Sequence, residues 1–202
     1  MAAKVLVLSF RDPAPKGVEV IEVNATSQSA VPWQRALSSF FLGPIDLYGG
    51  RTSLNMENAW QYCKVYPRYA DGIGNPTRVY WAWAEIGWAS QKANRYPMGK
   101  DAVPLYSLWD GQRLSYVEAR KRIYIPLYAR AVRNTDAFRE LRTLYEQSHV
   151  LVIRDFDAYP HELMGRTLSA VVEDPTRKMG HGFVLAMLLL GDPVLSEISV
   201  GD

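Results

Sequence analysis

Apolar and polar positions change their period several times along this chain, and each change predicts an element. Residues 5–10 form one apolar run, residues 12–17 (DPAPKG) are turn formers, and residues 18–23 partly alternate. That succession predicts an N-terminal hairpin over residues 4–24. Residues 24–55 are rich in Ser, Pro and Gly, with Gly49 and Gly50 adjacent. Irregular structure with a short strand near residues 45–48 is expected there.

Helical patterns dominate from that point. Asn55 precedes the run 56–66, which Pro67 stops, so a capped helix is expected over those residues. Asn75 and Pro76 open a second helix reaching residue 93. Within it Trp81, Ala84 and Trp88 recur at helical spacing, the pattern of a buried central helix. Residues 94–112 hold Asn94, Pro97, Gly99, Pro104 and Gly111 and predict a long ordered loop. Ser115 with Glu118 is a capping box, opening a helix to about residue 133 that Pro126 should kink. Thr135 caps a further helix to about residue 147, a strand follows at 150–153, and helices over 160–172 and 182–190 close the chain. The expected fold class is α+β: a mostly helical single domain over residues 1–202 with a small β-sheet.

Composition narrows the classes of function. A chain with 48% hydrophobic and 22% charged residues can bury a proper core without disulfide or metal support. One cysteine, Cys63, excludes an internal disulfide, and three scattered histidines leave no metal-ligand spacing, so neither metal nor cofactor is expected. His149, His161 and His181 read as caps or core. A net charge of +2 permits a polyanionic ligand without demanding one. The longest apolar run, 183–190, is too short to span a bilayer, and the opening apolar run leads at once into Arg11 and Asp12, as a strand and not a signal peptide would. A cytoplasmic protein with no membrane partner is the expectation.

The candidate chemistry lies in residues 56–66, MENAWQYCKVY. At roughly 100° per residue Glu57, Gln61 and Lys64 share a stripe about 60° wide, with Trp60 beside it. Met56, Trp60 and Cys63 then face the core, while a carboxylate, an amide and an amine face a cleft suited to a sugar or nucleotide. Glu and Lys a turn or two apart are also the commonest solvated pair on a helix, and spacing alone leaves both readings open. Glu57 falls in the first turn, where the positive end of the helix dipole favours negative charge.

Residues 37–64, with LSSF, DLYGG and MENAWQYCK in order, resemble the signature of the NADAR (NAD- and ADP-ribose-related) family. That family carries a Leu-Ser-Asn-Phe segment, a short strand, then a helix with Glu, Gln four residues on and Lys three beyond, which here are Glu57, Gln61 and Lys64. Gly99-Lys100 stands where the family tends to have Gly-Arg. Tyr116 and Arg120 keep the spacing of a family Trp and Arg, and the segment 179–188 is similar to its closing helix. The chain departs from the pattern at Ser39, where the family has Asn, and at Asn58, where it has His. The resemblance covers about residues 35–190, the expected catalytic core.

What the resemblance implies is N-glycosidase chemistry, cleavage between a ribose anomeric carbon and a base nitrogen. Glu57 would stabilise oxocarbenium-like charge. Lys64 would act as a Schiff-base amine on the opened sugar, or else as a charged clamp on a ribose hydroxyl or phosphate. Trp60 would wall the site and Gln61 would bind ribose. Ser38, Ser39 and Phe40 would line the opposite wall, and Arg95, Gly99 and Lys100 would meet the pyrophosphate. The expected substrate is ADP-ribose on guanine in nucleic acid, placed there by a toxin or an antiviral defence. A small ribosylamine of the riboflavin pathway, and a non-catalytic binder of ADP-ribosylated nucleic acid, are the alternatives.

Overall fold

The computed structural model describes residues 4–198. In chain order its elements begin with β1 (Lys4–Leu8), β2 (Val20–Asn24), α1 (Pro32–Arg35), β3 (Ile45–Asp46), β4 (Thr52–Ser53) and α2 (Met56–Gln61). Next come β5 (Lys64–Val65), α3 (Arg78–Trp88), β6 (Tyr106–Trp109), β7 (Gln112–Leu114), α4 (Tyr116–Ala119) and α5 (Ile125–Arg133). The chain closes with α6 (Asp136–Gln147), β8 (Val150–Arg154), α7 (Leu168–Glu173), α8 (His181–Leu190) and α9 (Val194–Glu197). Helix takes 41% of the described residues and strand 15%, in small sheets, which is the mostly helical α+β class expected. The chain divides into two compact units, one running to Ser38 and resuming at Tyr128, the other spanning Ser39–Leu127.

The first unit is built on a three-stranded sheet ordered β1-β8-β2, with both outer strands parallel to β8. The expected hairpin over residues 4–24 is therefore overturned. Every residue of β8 is buried, so its two edges offer the driest partners in the unit, and β1 and β2 each take one. The turn residues 12–17 serve a crossover between parallel strands, with Gly17 at φ 76°. Leu8, Val150 and Val152 form a core cluster, and α6 and α8 pack on the sheet. α8 is apolar on all sides and buried from His181 to Leu188, as a core helix must be, and it stops at Gly191 in the left-handed region. The helix expected over 160–172 resolves into a 3₁₀ turn at Glu162–Met164 and the short α7. Gly165, at φ 67°, separates them.

The second unit carries an antiparallel sheet ordered β5-β6-β7 and the two-stranded pair β3-β4. The expected loop over 94–112 gives way at residue 106 to a β-hairpin. Asp110 and Gly111 both take positive φ (44° and 75°), the two-residue turn that matches strand twist. The second helix starts later than expected, at Arg78, capped by Thr77. Asn75 instead binds Asp71 and accepts from Arg113. Only one face of α3 is buried, with Tyr80, Ala84, Gly87 and Trp88, while Ile86 is 74% exposed, so α3 is not a buried central helix. The capping box at Ser115 and Glu118 forms as expected. The run it opens is interrupted by a π-turn over Arg120–Tyr124 ahead of Pro126, where Ile125 N–H reaches Arg120 O. The extra residue in that turn accommodates a ring that lacks an N–H and crowds the preceding carbonyls.

Candidate active site

Asn55 has extended backbone and its side chain accepts from Asn58 N–H, so α2 begins where the sequence places it. Its end is different. Tyr62 turns the chain, and Lys64 and Val65 pair with Ser107 and Tyr106, so the expected helix 56–66 stops at Gln61 and Lys64 stands on strand β5. Edge pairing with β6 and burial of Val65 outweigh the local helical preference. Close packing fixes the turn: a Cβ on Gly87 would lie 2.1 Å from the Tyr62 ring.

The three side chains nevertheless meet. Ser39 Oγ donates to Glu57 Oε2 at 2.7 Å, and Gln61 Nε2 donates to Glu57 Oε1 at 2.8 Å. Lys64 Nζ then donates to Gln61 Oε1 at 2.7 Å and lies 4.6 Å from the Trp60 ring centroid. A donor on Lys64 and an acceptor on Glu57 together set the orientation of the Gln61 amide. Glu57 N–H donates to Ser39 O at 2.9 Å, which ties the start of α2 to the segment carrying Ser39. Glu57 is 6% exposed and Gln61 7%, so neither lies on a solvated face. A six-residue helix has little macrodipole; two side-chain donors hold the carboxylate.

Met56, Trp60 and Cys63 are buried, as the helical face predicts. Tyr124 and Tyr116 pack on Trp60 at 5.1 and 6.3 Å, and the buried Arg120 guanidinium lies 4.2 Å from the Tyr116 ring centroid. Burial pushes the Cys63 thiol up to about 11, and its Sγ donates to Trp60 O, so Cys63 is an inert packing residue.

Ser38 is buried at the end of the first segment of the parallel-sheet unit, and Phe40 is half-buried. Arg95 lies over the Tyr96 ring, while Gly99, at φ 96°, and Lys100 are exposed further along that loop. Lys100 has no hydrogen-bond or ion-pair partner among the described residues. Gln61, expected on ribose, uses its oxygen and one donor to bridge Glu57 and Lys64. His161 and His181 are buried, whereas His149 is exposed and not a core residue.

Asn58 is a residue that sequence reasoning missed. It is wholly buried; its Nδ2 donates to the carbonyls of Gly87, Ser90 and Lys92, and its Oδ1 accepts from Asn94 N–H. It ties α2 to the chain leaving α3 and thereby supports Glu57 from behind. An asparagine beside Glu57 carries no local signal for that role, since all four partners lie some thirty residues away or more. No helix among the described residues is long and apolar enough to cross a membrane. No family model, curated protein or solved structure matches the chain.

Proposed function

We propose that this protein is an N-glycosidase that removes ADP-ribose from guanine bases in nucleic acid. The observation carrying the reading is the hydrogen-bonded chain Ser39–Glu57–Gln61–Lys64 laid against Trp60. It holds a carboxylate and an amine in fixed relation, which the chemistry needs and a binder does not. The resemblance of residues 37–64 to NADAR proteins supplies the substrate class.

In the proposed reaction the bond from the anomeric carbon to the base nitrogen breaks and its electron pair leaves with the base. Glu57 faces the positive charge that develops on the ribose, in a setting dry enough for that charge contact to count. The Lys64 amine adds to that anomeric carbon, C1, as the base departs and its released proton goes to the leaving base; the ring C1–O bond then opens to give an imine, which water hydrolyses to free ADP-ribose and the amine. Trp60 walls the site, and Gln61 keeps the carboxylate and amine in register. Ser39 anchors the second carboxylate oxygen.

Incubation with an oligonucleotide carrying ADP-ribosylated guanine tests this directly. Free ADP-ribose should appear, and unmodified guanine should be restored in the strand. Tight binding without release would make the protein a reader of the modification. Release from a small ribosylamine alone would move the substrate to the alternative class.

A further inference from the structure

In the second unit Arg51 follows the turn Tyr48–Gly50 and lies over two rings, with Cζ 4.9 Å from the Trp81 centroid and 5.5 Å from the Tyr48 centroid. Tyr48 in turn meets Trp109 edge-on at 4.9 Å. All four side chains are half-buried. Gly49 has φ 64°, and a Cβ there would stand 2.8 Å from Arg51 Nη1, so a side chain at that position would displace the guanidinium from the rings.

The Arg51 side chain makes no hydrogen bond and no ion pair among the described residues. Arg154 shows what a structural arginine does in this protein: its Nε donates to Glu22, and its Nη1 donates to Ser9 O and Asp12 O. Arg51 is held over two aromatic rings with its fork of five N–H donors uncommitted, the arrangement that meets a phosphate bidentately while the neighbouring rings stack on bases. Asp110, in the turn between β6 and β7, acts on Tyr48 and opposes a phosphate on that side. The anion is therefore placed towards Trp81. In sequence only residues 52–56, which contain β4 and the Asn55 cap, separate Arg51 from Glu57.

We infer that Arg51, Tyr48, Trp81 and Trp109 form a seat for the single-stranded nucleic acid that flanks the modified base. The inference rests on the glycosidase reading for its substrate, but its own observation is the uncommitted, ring-stacked guanidinium. An acidic peptide would satisfy the charge of Arg51 and leave the three rings without a planar partner; a nucleic-acid strand uses both.

The test is fluorescence anisotropy with an unmodified single-stranded oligonucleotide of about a dozen nucleotides, long enough for a seat of this kind. Arg51→Ala and Trp81→Ala should each weaken binding by about tenfold, the effect of losing one stacked contact. Arg51→Lys, which keeps the charge and loses the planar fork, should fall between wild type and Arg51→Ala. Thermal melting of the Arg51 variants should match wild type, and their rate on ADP-ribosyl-guanosine, which has no flanking strand, should be unchanged. Wild-type affinity in Arg51→Ala, or competition by poly-glutamate as effective as that by unlabelled oligonucleotide, would overturn the seat. Arg51-dependent binding in a protein that releases nothing from any ADP-ribosylated substrate would sink the glycosidase reading and leave the seat standing. Turnover of a modified oligonucleotide that is indifferent to Arg51 would do the reverse.

Discussion

Asp155, in the parallel-sheet unit, and Glu57, in the other, are both buried carboxylates, 3% and 6% exposed, but their partners differ in kind. Asp155 follows β8 directly, and its Oδ2 accepts from Gly182 N–H at 2.8 Å with His181 Nδ1 at 3.4 Å. His181 is fixed from its other nitrogen by Ala25 O at 2.7 Å. A Cβ on Gly180 would lie 2.1 Å from Asp155 Oδ2, and one on Gly182 would lie 3.1 Å from Asp155 Cβ. That acid is held by a backbone N–H and the His181 ring, with Gly180 and Gly182 packed closely against it. Glu57 is held by the side chains of Ser39 and Gln61, in a chain that ends on a half-buried amine. Burial alone does not distinguish the two acids; the nature of their partners does.

The comparison breaks most sharply at Glu57. Glu57→Gln should cut release of ADP-ribose by about a hundredfold, on the order of 3 kcal/mol, while thermal melting and substrate affinity stay near wild type. An unchanged rate in the purified variant would remove Glu57 from the chemistry. Lys64→Arg should be similarly impaired although its charge is kept, and borohydride added during turnover should trap a sugar adduct that peptide mass spectrometry maps to Lys64. Retained activity with no adduct would make Lys64 a charged clamp.

The matching change in the other unit is Gly180→Ala. Its new Cβ forces Asp155 to move, and overpacking of this kind costs about 2 kcal/mol, read as a lower denaturant midpoint. The rate per folded molecule should not change; if it falls with stability intact, the Asp155 network takes part in the reaction. Gln61→Ala is expected to be milder, with a rate loss of about tenfold, because Glu57 and Lys64 keep their charges and lose only the amide that aligns them.

The smallest effect concerns pH. Burial holds the His161 pKa below its ordinary 6.5, with Glu162 raising it and Lys4 lowering it. Between the lowered native value and 6.5 the unfolded chain binds more protons, so stability rises with pH through that window and is lost as pH falls through it. Melting temperature should therefore decline on acidification from pH 7 to 5, and His161→Gln should flatten part of that decline. An identical profile in the variant would assign the acid sensitivity to other groups.

Much of the candidate site was legible in the residues. The helical angles of 57, 61 and 64 predicted one shared stripe, and the three side chains do meet, although Lys64 arrives there on a strand. Adjacency survived because the chain turns at Tyr62 and Cys63 and Lys64 Nζ still reaches Gln61 Oε1 at 2.7 Å. The hairpin at Asp110-Gly111 also had a local signal, masked by the prolines and glycines that surround it. Arg95 and Lys100 were placed by the resemblance and by the basic character of their loop, and in the structure Arg95 lies over Tyr96 while Lys100 is exposed.

By itself the sequence determined what depends on neighbours within about four residues. The caps at Asn55, Ser115 and Thr135, the apolar strand at β8 and the all-apolar helix α8 are of that kind, since the cap bonds span three residues and the two apolar runs carry their own element preference. Tertiary structure alone decided that β1 and β2 flank β8 in parallel, that Lys64 leaves the helix to pair with Ser107, and that Arg51 lies across Trp81. Each of these joins partners far apart in the chain, up to about 146 residues for Lys4 and Val150. The free energy of such a contact belongs to the competition among all possible partners for one buried edge or ring, and no window of sequence contains that competition.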